Sequence, residues 1–134
     1  MTTPNKRTSV PSVDSIVRRP VVGWIGDSAD WIETEVELCD LAGISATHIQ
    51  FGLMREFLAA PRRCDVIVLD VGEIGRMNTT MPRVCDYCSE IVLVSAMTLA
   101  STWVVIEMAQ ESFPDMKFRY AGTNPEDVLC ELLA

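Results

Sequence analysis

Cys64-Asp65-Val66-Ile67-Val68-Leu69-Asp70-Val71 is the stretch on which the fold turns. Val66 to Leu69 are aliphatic and mostly β-branched, with no polar residue alternating between them. That pattern suits a strand buried on both faces, the habit of central strands in parallel sheets. The run ends on a carboxylate, Asp70. Two further runs read the same way: Val21-Val22-Gly23-Trp24-Ile25-Gly26 leads into Asp27-Ser28, and Ile91-Val92-Leu93-Val94 leads into Ser95.

Helical spacing fills the intervals. Trp31, Ile32, Val36, Leu38, Cys39 and Leu41 recur at helical intervals, with Glu33, Glu35 and Glu37 between them and Gly43 as a stop. Thr47-His48-Ile49-Gln50-Phe51 reads as a strand. A short helix carrying Leu53, Met54, Phe57 and Leu58 follows, closed by Pro61. Gly72 and Gly75 mark a loop after Asp70, and a helix is predicted over Thr80–Cys88. Leu99, Thr102, Trp103, Ile106, Ala109 and Phe113 form the core stripe of the next helix. Phe118-Arg119-Tyr120 is the last strand. Asn124-Pro125-Glu126-Asp127 opens a final helix carrying Val128, Leu129, Leu132 and Leu133. Five β-α units imply an α/β fold: a doubly wound, five-stranded parallel sheet in the flavodoxin-like order 2-1-3-4-5, flanked by five helices.

Composition narrows the function. About half of the 134 residues are hydrophobic, which excludes wholesale disorder. No apolar run is long enough for a bilayer, and no secretory signal is visible, so no membrane association is expected and the expected compartment is the cytoplasm. The charge is uneven. Residues 1–20 hold Lys6, Arg7, Arg18 and Arg19 against Asp14 alone, a net of +3, and read as a basic, flexible leader. Residues 21–134 form the folded domain; their seven basic and eighteen acidic residues leave a net of −11. An acidic body disfavours nucleic acid, whose phosphates call for a clustered basic face.

The five cysteines are Cys39, Cys64, Cys85, Cys88 and Cys130. Cys85-Asp86-Tyr87-Cys88 has the spacing of zinc and redox sites. It lacks a second ligand pair, however, and sits at the end of a predicted helix instead of opening one. Ordinary, partly buried thiols are expected.

In an open α/β sheet, ligands gather at the carboxyl ends of the strands. Asp27, Asp70 and Ser95 stand at the ends of the first, third and fourth strands, which are central neighbours in the expected order. Two carboxylates there suit Mg²⁺, and a hydroxyl beside them can bond a phosphoryl oxygen. Each also has a plainer reading, as a cap, a solvated strand end or a packing residue.

Gly26-Asp27-Ser28-Ala29-Asp30-Trp31, the stretch from Cys64 to Val71, and Val94-Ser95-Ala96 resemble response-regulator receiver domains of the CheY-like kind. The resemblance covers residues 21–134. It implies that Asp70 matches the aspartate phosphorylated by a histidine kinase, that Asp27 and Asp70 match Mg²⁺ ligands, and that Ser95 matches the phosphoryl-contacting hydroxyl. The chain departs from the pattern in three places. Gly26 stands where the family has a second acid. No lysine follows the fifth strand, where Arg119-Tyr120-Ala121-Gly122-Thr123-Asn124 is found, leaving Lys117 or Arg119 as substitutes. The loop Val71-Gly72-Glu73-Ile74-Gly75 lacks the usual Met/Pro pattern. The resemblance is therefore to a degenerate receiver, or pseudo-receiver, for which no cofactor is required. The alternative is a working phospho-acceptor in which Asp27 and Asp70 suffice for Mg²⁺.

An enzyme is not expected. There is no Walker loop and no G-x-G-x-x-G, and His48 is the sole histidine available to a nucleophile set. An aspartyl phosphatase would need an acid where Gly72 stands. The expected partners are proteins: a histidine kinase, an output domain, or a second copy in a homodimer. The chain stops within its last predicted helix, which would suit a regulatory domain with an output domain after it as much as a stand-alone protein. The expected contact face lies on the helix beginning at Leu99. Leu99, Trp103, Ile106 and Ala109 can cover the sheet, while Val104, Val105 and Met108 widen the apolar arc toward solvent. Trp103, Val104, Val105 and Met108, flanked by Phe118 and Tyr120, are the candidate interface residues.

Overall fold

A computed structural model describes residues 19–26, 37, 43, 46–95, 99–122 and 126–133. The strands are β1 (Val21–Ile25), β2 (Thr47–Gly52), β3 (Val66–Asp70), β4 (Glu90–Val94) and β5 (Lys117–Gly122). The helices are α1 (Met54–Ala59), α2 (Met77–Cys85), α3 (Leu99–Ser112) and α4 (Glu126–Leu133), with a 3₁₀ turn over Val71–Glu73. All neighbouring strands are parallel and the sheet order is β2-β1-β3-β4-β5. The expected sheet and order are thus found. Four α-helices stand among the described residues where sequence led us to expect five; the stretch predicted helical from Trp31 to Leu41 lies outside them, apart from Glu37. Residues 1–18 of the 1–20 leader, and Asp27, lie outside the described residues as well.

Side chains alternate along each strand, so the sheet has two apolar faces and needs two covers. Ile25, Ile67, Leu69, Ile91 and Leu93 point to one face. They are buried under Met54 and Phe57 of α1, Met81 and Val84 of α2, and the half-buried Val105, Ile106 and Phe113. Val22, Trp24, Val66, Val68, Val92 and Val94 point to the other, against Leu129 and its α4 neighbours Val128, Leu132 and Leu133. Trp24 is fully buried, and its indole Nε1–H donates to Nδ1 of His48 on β2 at 3.0 Å. That bond gives the one polar atom of a large apolar ring its partner. Phe57 sits edge-on to Phe51 and to Tyr87, with ring centroids 4.8 and 5.9 Å away.

Two local readings need correction. Helix α2 begins at Met77, three residues before the predicted Thr80. Thr80 lies inside the first turn and bonds backward: its Oγ1 donates to the carbonyls of Ile74 (2.5 Å) and Arg76 (3.1 Å). Met77, Met81 and Val84 then carry the apolar period. On α3, Trp103 was expected to cover the sheet and is 53% exposed. Ala109 is fully buried, and Trp103 lies about 120° round the helix from it at 3.6 residues per turn. Val105, expected toward solvent, is half-buried against the core together with Phe118 and Tyr120. No helix among the described residues is long and apolar enough to cross a membrane.

Gly23 marks the tightest point of the core. A Cβ there would lie 2.6 Å from Cε2 of Phe51 and 2.7 Å from Sγ of Cys64. Gly23→Ala is expected to destabilise the fold by about 1–3 kcal/mol through overpacking. A lowered urea midpoint with an unchanged slope would register this. A midpoint equal to the parent's would show that β1 does not pack against these two side chains.

Candidate functional site

The sheet brings Asp70 and Ser95 to the same end of neighbouring strands. Asp70 pairs in register with Val94, and Ser95 follows at once, 6% exposed. Asp70 Oδ1 accepts the backbone N–H of Gly72 at 2.9 Å and so caps the 3₁₀ turn that carries the chain off β3. Side-chain-to-backbone closure of this kind is a habit of aspartate at turns. Asp27, the other predicted carboxylate, lies outside the described residues. Gly26, where the resemblance calls for an acid, offers only its backbone, whose N–H donates to Gly52 O at 2.8 Å.

Sequence reading passed over Glu73. Its Oε1 accepts the N–H of Met54 at 2.8 Å, tying the loop after β3 to the start of α1. The available signal was an acid three residues beyond Asp70, at the foot of a helix lacking a side-chain cap. Among the described residues, no group of three His, Cys, Asp or Glu side chains is arranged to hold a metal ion.

The cations of β5 stand elsewhere. Val94 pairs with Gly122, so Asp70, Val94 and Gly122 share one level of the sheet. Lys117 begins β5 opposite Glu90, four residues before Val94 on β4, about 13 Å away along the strand. Arg119 pairs with Val92, two residues before Val94, and is about 7 Å short of that level by the same rise, a register shift after Leu93 taking up one residue of β5. Its guanidinium is also engaged: Nε lies 3.4 Å from Glu90 Oε2, and Nη1 donates to Glu131 Oε1 on α4. Neither residue supplies the charge expected beside Asp70, and β5 closes on Tyr120-Ala121-Gly122.

Among the described residues, a groove lies at the opposite end of the sheet. It encloses about 380 Å³ between Pro20, Asp65, Val66, Glu90, Leu132 and Leu133, at the amino ends of β3 and β4. Its carboxylates have structural work, with Asp65 Oδ2 accepting Val21 N–H at 2.7 Å and Glu90 paired to Arg119. In an open α/β sheet the carboxyl ends of the strands are the ligand-binding side. We therefore keep Asp70 and Ser95, not the groove, as the candidate site.

The Cys85-x-x-Cys88 pair behaves as the plain reading expects. Cys85 ends α2, and Cys88 is buried with its Sγ donating to Val84 O at 3.4 Å. Burial pushes the Cys88 thiol up to about 12, with smaller contributions from Cys85 and Cys64. Burial likewise raises Cys64 and Cys85 to about 11. A thiol must ionise to bind metal or attack a disulfide, and these resist ionising.

No family model, curated protein or solved structure matches this chain.

Because the folded-state thiol pKa is raised, the stabilisation from keeping these thiols neutral is complete below the unfolded value near 9. It is lost as pH climbs from 9 toward 12. At pH 8, iodoacetamide is expected to label Cys64 and Cys88 at least about tenfold more slowly in the native protein than in urea. Peptide mapping by mass spectrometry would follow both sites, and equal rates would contradict the burial.

Proposed function

We propose that the chain is a cytoplasmic, receiver-like regulatory module that works through protein contact, without phosphoryl transfer or catalytic turnover. The sheet order and the strand-end positions of Asp70 and Ser95 support the comparison with receivers. The observation that carries the second half of the reading is the position of the β5 cations. Lys117 and Arg119 stand four and two levels of the sheet short of Asp70, and Arg119 is bound to Glu90 and Glu131. Phosphoryl transfer depends on charge stabilisation around the transferred group. Gly26 withholds one carboxylate that would organise Mg²⁺, and the end of β5 withholds the cation. In their place the domain offers an exposed apolar surface on α3: Trp103, Val104 and Met108, each more than half exposed.

One observation favours a second reading. Asp70 and Ser95 share one end of adjacent strands, which suits a phospho-acceptor with Mg²⁺ held by Asp70 and Asp27, served by a histidine kinase.

Acetyl phosphate with Mg²⁺, followed by intact-mass measurement, separates the two. We expect no stable phosphoryl adduct, with labelling at least about 10²-fold slower than in a receiver retaining its acid pair and lysine, as befits the loss of a preorganised charge. A near-stoichiometric adduct that vanishes in Asp70→Asn would establish the second reading.

A further inference from the structure

Resting on the reading of this chain as a contact module, we infer that the exposed face of α3 receives a basic amphipathic helix from a protein partner. Trp103, Val104 and Met108 are 53%, 56% and 51% exposed, the large hydrophobic side chains left in water among the described residues. Val104 and Met108 are four residues apart and stand one above the other on the helix. Trp103, Glu107 and Glu111 are likewise spaced by four, so Glu107 and Glu111 continue the row of Trp103, beside the row of Val104 and Met108, and all are exposed. Leu99–Ser112 contains no lysine or arginine. The face is therefore apolar and acidic together, and its complement is apolar and basic.

Area and charge choose among occupants. Half-exposed Trp, Val and Met side chains offer roughly 300 Å² of apolar surface, the size of a typical largest patch on a monomer. A stable dimer buries about 800 Å² on each partner. A second copy seated here would also bring Glu107 and Glu111 toward their own counterparts across a two-fold axis, in a chain of net charge −8. An anionic lipid surface meets the same repulsion. A single helix, about 10 Å wide, matches a stripe of this width. Its apolar residues at i, i+3, i+4 and i+7 would lie on Trp103, Val104 and Met108. Its lysines or arginines would lay their stems along the apolar side chains and bring their charges to Glu107 and Glu111, which lie between Trp103 and the Val104–Met108 row. Tryptophan is a frequent centre of binding energy, and methionine adapts to varied partners.

The test uses the full chain and three synthetic peptides of equal length. One places leucines at helical spacing among lysines, one has the same composition in scrambled order, and one replaces every lysine by glutamate. Titration calorimetry gives affinity, amide chemical-shift mapping gives location, and sedimentation velocity gives the oligomeric state. We expect the patterned lysine peptide to bind one to one, with shifts concentrated on 101–111. It should bind at least about tenfold more tightly than the scrambled peptide, and the glutamate peptide should not bind. Glu107→Lys with Glu111→Lys, and separately Trp103→Ala, should each weaken it about tenfold; all three positions are exposed, and circular dichroism checks that the fold is kept. The inference is overturned if the peptides bind alike, if the shifts fall elsewhere, if the charge reversal leaves affinity unchanged, or if the chain alone sediments as a dimer that Trp103→Ala dissociates. Failure here with Asp70 still unlabelled by acetyl phosphate removes this partner and leaves the contact-module reading intact. Labelling of Asp70 removes that reading itself.

Discussion

Covering β3 on both faces is the constraint on which the remaining elements depend. Val66, Ile67, Val68 and Leu69 are each at most 4% exposed, and alternate side chains point to opposite faces. At about 1.5–3 kcal/mol for each fully buried aliphatic side chain, these four contribute on the scale of a domain's whole net stability. Neither face can be left open. Flanking strands β1 and β4 present the same two-sided apolar surface, so helices must pass over both sides and connections must cross over instead of turning back. From this follow the parallel ladder, the alternation of strand and helix, and the gathering of strand ends Asp70, Val94 and Gly122 at one level.

That gathering sets where chemistry can occur, while the strand register sets what is there. Arg119 illustrates the difference. Three residues short of Gly122, it falls beside Glu90 and below α4, where it joins two strands and a helix through Glu90 and Glu131. The side chains involved are 22–68% exposed, so each pair contributes only about 0–1 kcal/mol. It is distance along β5, more than the strength of these pairs, that keeps the guanidinium from the Asp70 end. A strand fixes its side chains in steps of about 3.3 Å, and Arg119 stands two such steps along the sheet and two strands across from Asp70. Asp70 itself serves the backbone by holding the N–H of Gly72, and Glu73 serves it by holding that of Met54. The loop after β3 is thus closed by its own carboxylates.

Most of the fold was legible because buried parallel strands announce themselves. An unbroken β-branched run such as Val66–Leu69 is too short for a buried helix and too apolar for a strand with one wet face, and the terminal Asp70 and Ser95 follow from where such runs stop. Less legible were features decided by contacts distant in sequence. The start of α2 depends on the Thr80 hydroxyl reaching back to Ile74 and Arg76, whereas a threonine before an apolar run reads equally well as a cap. The phase of α3 was ambiguous because apolar residues surround nearly the whole helix. Trp103-Ile106 and Val105-Ala109-Phe113 are both acceptable stripes by sequence, and packing beside β5 turns Val105, Ile106, Ala109 and Phe113 inward. The same selection moved Val105 inward and left Trp103 outside. Register, which removed Lys117 and Arg119 from the candidate site, has no signature in a single strand's sequence.

The exposure of α3 bears on how such a module could be regulated. A ligand or modification shifts a conformational equilibrium only as far as it distinguishes the two states. A receiver with paired acids and a lysine has that means, because a new phosphoryl charge meets a cation in one state and not in the other. Here β5 ends without a cation, and Asp70 is already committed to a backbone N–H. Under the reading proposed for this chain, the contact face is consequently not released by chemistry at the far end of the sheet but is permanently presented. Trp103, Val104 and Met108 are exposed in the conformation that also completes the core, with Ala109 on the same helix fully buried. Control then rests with the abundance and charge of whatever binds α3, since the surface itself needs no switch to form.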